Sequence, residues 1–194
     1  MKLQLLALLC LLTVGTLSAQ EIGEVKDSRD DQTYKTITFT IPLEGGVSVK
    51  RTWMLENANY ETEEGSTCYT DEPAYCEKFG RLYTFEAAMA ACPEGYRIPT
   101  RKDWFLLFSQ YSGYTKAGKA LMENGDSGLD LLLGGSGTEF GYYTSVGKEG
   151  NYWDSADQGE RPDGIVTLSA GREAVALGGI GKKFYNSCRC IKTH

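Results

Sequence analysis

Five cysteines that follow an apolar N-terminus constrain this chain more than any other feature: Cys68, Cys76, Cys92, Cys188 and Cys190. Whether they can pair depends on the compartment the chain reaches. The sequence opens with Lys2 and an apolar run from Leu3 to Leu17, interrupted only by Gln4, Thr13, Gly15 and Thr16, and then Ser18-Ala19. Residues 1–19 read as a secretory signal with a small-residue cleavage site, so the mature chain is expected to start at Gln20. The run is short for a transmembrane helix, and no later stretch approaches the roughly 20 apolar residues that span a bilayer. The product is expected to be exported and not membrane-spanning, which permits disulfides. Cys10 lies within the signal and follows Leu9, where lipid attachment requires a small residue, so the signal is not read as a lipoprotein's. Five mature thiols leave one without a partner in its own chain. Cys68 and Cys76 flank a small polar loop and are natural mutual partners, which leaves Cys92 for Cys190 or Cys188. A bridge across roughly 100 residues contributes about 4 to 5 kcal/mol in the chain-entropy account.

The formal net charge is -6, or -6 - 1 = -7 once Lys2 leaves with the signal. Basic residues form no cluster longer than Lys50-Arg51 or Lys182-Lys183, and nucleic acid is not an expected partner. About 175 mature residues make one domain that buries around 70% of its unfolded surface, enough for a core without structural metal. The single histidine is His194, the last residue. That excludes histidine-dependent triads, His-bearing zinc sites and most neutral-pH general bases.

Residues 20–32 are polar and read as an extended leader, and 33–194 as the domain. From Thr33 to Met54 the apolar pattern alternates, with Ile37, Phe39 and Ile41 on one face, then Gly45-Gly46 and Val47, Val49 and Trp53. This predicts a hairpin. Glu61 to Ala74 reads as a polar loop. Phe85 to Ala91 is a helix capped by Thr84, with Glu86 at its positive end and Pro93 as its stop. A second helix opens with Thr100 and Asp103 as a capping-box variant and carries Trp104, Leu107, Phe108 and Tyr111 at helical spacing. Lys116 to Glu123 adds a short helix. Beyond it, "GLDLLLGG", "EFGYYTSV", "NYWDSA", "GIVTLSA", "EAVAL" and "SCRCIK" are strand-like pieces between Gly-rich turns. The fold class is α+β, with the helices grouped against short twisted antiparallel sheets.

The pieces "DSRDDQTYKTITF", "TWMLENANYE", "CEKFGRLYTFEAAMAACPEGYRIPTRKDW", "AGKAL", "DSGLDLLLGG", "YWDSAD" and the terminal "RCIK" resemble, in order and spacing, the Fibrobacter succinogenes major paralogous domain family. The resemblance implies a secreted or cell-envelope protein of a Bacteroidetes- or Fibrobacter-type bacterium with a C-type lectin-like fold. In that fold a cysteine ending the first helix bridges to the last strand, which implies Cys92 with Cys190. The family's biochemical activity is not established. The segment from Pro42 to Arg51 is longer than the family's turn and is expected to extend the first hairpin. Cys188 stands where the family has an apolar residue. In an extended strand it shares a face with Cys190, so it reads as a buried free thiol, an alternative partner for Cys92, or a link to a second chain.

Enzymatic readings rest on thiols or carboxylates. Cys188-Arg189-Cys190 places two sulfurs on one side of a strand, as a thiol or copper oxidase would need, but Cys190 is better used as half of the bridge. Asp154 or Asp157 with Glu160 or Asp163 could flank a glycosidic bond, yet Asp, Gly and Pro at this density make turns through local hydrogen bonds. The same loop offers oxygens for calcium at Glu160 and Asp163. "RPD" at Arg161 to Asp163 is only a partial echo of the lectin calcium triplet, and no Trp-Asn-Asp follows. No catalysis and no required cofactor are expected. Tyr142, Tyr143, Tyr152 and Trp153, with Asp154, Asp157 and Asp163, are the candidate ligand residues in the Gly-rich half, since aromatic faces beside polar groups suit sugars or peptides. Trp153 in "YWDSA" reads more readily as core than as a ligand contact, Trp53 and Trp104 read as core, and a regular strand would expose one of Tyr142 and Tyr143. The expected role is binding of carbohydrate or a surface protein, or a structural and adhesive part in a bacterial surface assembly.

Overall fold

The computed structural model describes residues 20–155 and 164–193. The signal segment with Cys10, the loop carboxylates Asp157, Glu160 and Asp163, and His194 lie outside the described residues.

Strand β1 (Glu21–Lys26) pairs antiparallel with β2 (Thr33–Pro42), from Glu21 opposite Thr38 to Lys26 opposite Thr33. The expected leader is thus an edge strand. Its polar side chains misled the reading because edge pairing is made by backbone groups and needs no apolar face. A turn at Asp27 then brings Arg29 back over Tyr60, 3.7 Å from the ring centroid. Arg29 also pairs with Asp27 at 2.6 Å and donates to the carbonyls of Ala90, Ala91 and Cys92. Those carbonyls close a helix end and lack partners of their own, so a cation there is favourable twice over.

The expected hairpin continues from β2 into β3 (Ser48–Met54), with pairing as far out as Pro42 opposite Ser48. Ile37, Phe39 and Ile41 enter the main core. Tyr34 enters a second core on the other side of the sheet. The strand changes its buried face between Thr36 and Ile37, both of which are buried.

Helix α1 (Pro73–Phe79) follows the two-residue strand β4 (Ser66–Thr67); the expected polar loop ends at Ala74, and no helix is expected between it and Phe85. Its signal was Pro73 at the first turn and Gly80 just past the end. Gly80 has φ 74°, and a Cβ there would lie 2.7 Å from Asn57 Cβ and 2.8 Å from the Ala58 carbonyl. After β5 (Leu82–Tyr83), α2 (Phe85–Ala91) begins with Thr84 Oγ1 accepting from Ala87 N. Strand β6 (Tyr96–Arg97) leads to α3 (Arg101–Ser109), where Thr100 and Asp103 form the full reciprocal capping box. Trp104, Leu107 and Phe108 are buried, and the Trp104 ring lies 4.7 Å from that of Trp53. Helix α4 (Ala117–Leu121) completes the helices among the described residues.

The Gly-rich half supplies β7 (Ser136–Gly137), β8 (Tyr143–Thr144), β9 (Glu149–Asp154), β10 (Gly164–Ser169), β11 (Ala176–Gly179), β12 (Asn186–Ser187) and β13 (Ile191–Lys192). "GLDLLLGG" is not a strand, because Gly128 at φ 64° and Asp130 at φ 51° turn the chain while Leu129 and Leu131 bury. The strands form a five-stranded sheet, β1-β2-β3-β13-β6, a six-stranded sheet, β11-β10-β9-β12-β5-β4, and the β7-β8 ribbon. Pairing between these strands is antiparallel except for β12 against β9, where Ser187 meets Tyr152 in parallel. The molecule is α+β, mostly sheet, and holds two disulfides, Cys68–Cys76 and Cys92–Cys190.

The final segment is central to both large sheets, and Arg189 sits at the crossover between them. The residue is fully buried. Its Nε donates to Asn57 Oδ1 at 3.0 Å, and its guanidinium donates to the carbonyls of Met54, Leu55, Leu129 and Asp130. Burial pulls its pKa down from the ordinary arginine value, but an arginine keeps its charge in the physiological range. Replacing Arg189 with Met leaves these buried carbonyls without donors, at about 1 to 3 kcal/mol for each group left unmade. We expect Arg189→Met to lower the thermal midpoint by more than 10 °C in a circular-dichroism melt, and an unchanged midpoint would contradict the cage.

Asp103 adds a pH term. Burial raises its pKa, but hydrogen bonds from Arg97 and Thr100 outweigh burial and leave it below its ordinary value of 3.8. A carboxylate held low in the folded state contributes stability above its unfolded pKa and loses it as pH falls through the folded one. Asp103→Asn is therefore expected to melt lower than wild type at pH 7, with the gap narrowing as pH drops below 3.8; a gap that stays constant from pH 7 to 2 would argue against the linkage.

Candidate binding surface

The Cys68–Cys76 bridge closes a loop of sequence separation 8 between β4 and α1. Inside it, Thr70 and Asp71 are held at φ 53° and 58°. The left-handed region is costly for a β-branched threonine and persists where the surroundings over-determine it, commonly at ligand sites. The conformation turns the Asp71 carboxylate toward two hydroxyls, with Thr67 Oγ1 donating at 2.6 Å and Tyr143 Oη at 3.1 Å. Burial pushes the Tyr143 hydroxyl's pKa up and the Asp71 carboxylate adds to this, against a smaller opposing contribution of the neighbouring Thr67 hydroxyl. Tyr143 therefore stays protonated at neutral pH and keeps its donor role.

From Tyr143 a row of rings runs inward. Its ring centroid lies 5.2 Å from that of Tyr69, which lies 5.1 Å from Tyr75. Tyr75 stacks on Phe79 at 6.2 Å. Phe79 lines a cleft of about 400 Å³, together with Met122, Leu131 and Leu133 and the charged Lys78 and Lys119. At the other end of the row, the turn joining β7 to β8 exposes Phe140 at 77% and Tyr142 at 74%. That turn is tied down by Thr138 N donating to the Tyr142 carbonyl and by Lys183 to Glu139 at 2.8 Å. Its β7 strand is fixed in turn by mutual backbone bonds between Gly137 and Tyr185 at 2.9 Å.

Among the residues expected to contact a ligand, Tyr142 is exposed and Tyr143 is half-buried beside Asp71. Tyr152, Trp153 and Asp154 are internal and must be withdrawn. Tyr152 Oη donates to the Leu132 carbonyl at 2.6 Å, and Trp153 Nε1 to the Tyr83 carbonyl at 2.6 Å. Asp154 pairs with Arg101 at 2.6 Å, and a Cβ on the facing Gly164 would overlap its carboxylate. The reason is topological. Strand β9 is paired on both edges, and its two faces enter different cores, Tyr152 the main one and Trp153 the second, so alternation gives no exposed side. The candidates Asp157, Glu160 and Asp163 lie outside the described residues. Cys188 is 0% exposed, so the link to a second chain through it is also withdrawn for the folded protein. Burial pushes its thiol up to about 12.

The sequence reading missed Thr67, Tyr69, Asp71, Tyr75, Phe79 and Phe140. The signal for Tyr69, Tyr75 and Phe79 was aromatic density in and just after the small Cys68–Cys76 loop, and for Phe140 its place beside Tyr142 and Tyr143; Thr67 and Asp71 gave none.

These features define a doubly bridged α+β domain that displays an ordered aromatic surface. The chain belongs to the Fibrobacter succinogenes major domain family, whose model matches residues 48–192. The match runs from the start of β3 to the end of β13 and takes in both bridges, leaving β1 and β2 outside it. No curated protein and no solved structure matches the chain.

The link between the strained loop and the aromatic hairpin is measurable. In a double-mutant cycle of Asp71→Ala and Tyr143→Phe, urea unfolding should give a coupling of about 1 kcal/mol. Strict additivity would mean that the hydrogen bond does not tie the two segments together.

Proposed function

We propose that this protein is an exported, non-catalytic binding module with a C-type lectin-like fold, which takes carbohydrate on the surface running from Phe140 and Tyr142 past Tyr143 and Asp71 to the Phe79 cleft. The observation that carries the reading is the pair of large rings standing in solvent on a turn that runs into Tyr143, which is hydrogen-bonded to the ordered Asp71 carboxylate. Exposed apolar rings that fold into no core mark interaction sites. A ring face accepts the C–H face of a sugar, while a neighbouring carboxylate accepts from its hydroxyls. The tie-downs around both segments limit the ordering cost of binding.

The lectin-like assignment is supported by the bridge from Cys92, just past α2, to Cys190, just before β13. It is also supported by the first and last strands, β1 and β13, belonging to one sheet. Export is supported by the apolar segment of residues 1–19 and by two disulfides, which persist in oxidising compartments. The absence of a histidine before His194 supports a role without acid-base catalysis. Among the described residues no helix is long and apolar enough to cross a membrane.

The test is a glycan and polysaccharide binding screen with the purified chain from Gln20 to His194, run with calcium and with chelator. A saturable hit is expected. Phe140→Ala and Tyr142→Ala should each weaken it about tenfold or more, as buried aromatic anchors do, without moving the melting temperature. Loss of binding in chelator would return Glu160 and Asp163 to consideration as calcium ligands. Binding to envelope proteins without any glycan hit would replace sugar by protein as the ligand.

A further inference from the structure

Cys188 is a free cysteine, but it is not isolated. Its Sγ lies 3.8 Å from Cys92 Sγ and 3.9 Å from Cys190 Sγ. Those nearly equal distances put the thiol beside the Cys92–Cys190 bond, whereas thiol–disulfide exchange needs approach in line behind one sulfur. The position suits a different chemistry. The three sulfurs lie within 4.8 Å of one another and form the corners of a triangle. A metal–sulfur bond of about 2.3 Å sets the donors of a trigonal site about 4 Å apart. Both edges that start at Cys188 already have that length. The third edge is the disulfide, which opens when the bond is reduced.

We propose that reduction of Cys92–Cys190 turns this cluster into a three-thiolate site for Cu(I), so that the disulfide and the metal are alternative occupants of one place in the core. The donor set selects the ion. Among the described residues no His, Asp or Glu joins the three sulfurs, and zinc in a structural site takes four donors. Three soft thiolates without a nitrogen or carboxylate partner suit Cu(I).

Access comes from the surface. A hollow of about 400 Å³ lined by Asp27, Ser28, Arg29, Ala90, Cys92 and Glu94 opens on Cys92, the half-buried member of the trio. Reduction by a small dithiol transfers two electrons and two protons to the S–S bond. The dithiol leaves as its own disulfide, and Cys92 and Cys190 become thiols. Metal binding then moves no electrons, and each thiol that ligates releases its proton to water. The segment that carries two of the donors does not depend on the disulfide for its place. Met54 N donates to the Cys190 carbonyl at 2.9 Å and Ala58 N to the Cys188 carbonyl at 2.8 Å, with the Arg189 side chain anchored between them. This inference is independent of sugar binding at the aromatic surface.

The experiment is an anaerobic Cu(I) titration of the dithiol-reduced, desalted protein against a chromophoric Cu(I) chelator, with near-ultraviolet circular dichroism before and after reduction. One Cu(I) per chain is expected, with sulfur-to-copper charge-transfer absorption and three sulfur neighbours by X-ray absorption. Cys188→Ala retains both disulfides before reduction and should bind Cu(I) at least tenfold more weakly once reduced. Equal affinity in the oxidised protein would place the copper elsewhere and overturn the proposal. Equal affinity in reduced Cys188→Ala would do the same, and so would loss of the native dichroism on reduction, since the sulfurs would then no longer converge.

Discussion

The architecture depends on one short segment, Asn186 to Lys192, that belongs to both large sheets. It enters the six-stranded sheet between β9 and β5 as β12 and leaves through the five-stranded sheet between β3 and β6 as β13. Between those strands the chain must cross from one sheet to the other with no regular ladder to satisfy its neighbours. Arg189 resolves this. A guanidinium offers five donors in a fixed plane, and here it meets the carbonyls of Met54, Leu55, Leu129 and Asp130, which turn away from any strand partner. One side chain thereby fixes the end of β3 and the Gly128–Asp130 turn against the last segment. The cysteines on either side of it point into the other core, where Cys190 is bridged to the residue after α2. Alternation about Arg189 sends one polar cage and two sulfurs to opposite sides of the same segment.

The same logic holds the periphery. Arg29 carries the turn after β1 to the open end of α2. Asp103 starts α3 and collects Arg51 and Arg97, from β3 and β6, onto that helix start. These are charges placed where helix ends leave backbone groups unpaired. The result is a frame whose irregular segments are fixed by side-chain to backbone bonds, and on that frame a tight disulfide loop and a short ribbon can hold aromatic rings in water. The placement of the aromatic rings follows from the frame and not from the rings themselves.

Much of the frame was legible beforehand because its causes are local. The Ile37, Phe39 and Ile41 alternation, the Thr84 cap, the Thr100 and Asp103 box and the Pro93 stop each act within a few residues, and each stands as read. Helix α1 was missed although Pro73 and Gly80 bracket it, because its polar composition resembles a loop. The polar β1 was missed for a similar reason, since only its pairing with β2 makes it a strand. In the candidate site, Tyr142 was identifiable from aromatic density, but Asp71 was not: its importance comes from Thr67 and Tyr143, the latter 72 residues away.

By itself, then, the sequence determined the kind of molecule: an α+β chain of the Fibrobacter succinogenes major domain family, with cysteines spaced for one tight and one long bridge. Local capping, alternation and cysteine count are enough for the fold class and the bridges, and the ordered motifs from "TWMLENANYE" to "RCIK" for the family. Tertiary structure alone decided which aromatic residues meet solvent. Tyr152 looks as displayable as Tyr142 along the chain, yet both faces of β9 pack into cores while the turn of the β7-β8 ribbon stands in solvent. Exposure is a property of how many layers cover a strand, and no residue carries that information until the strands have taken their places.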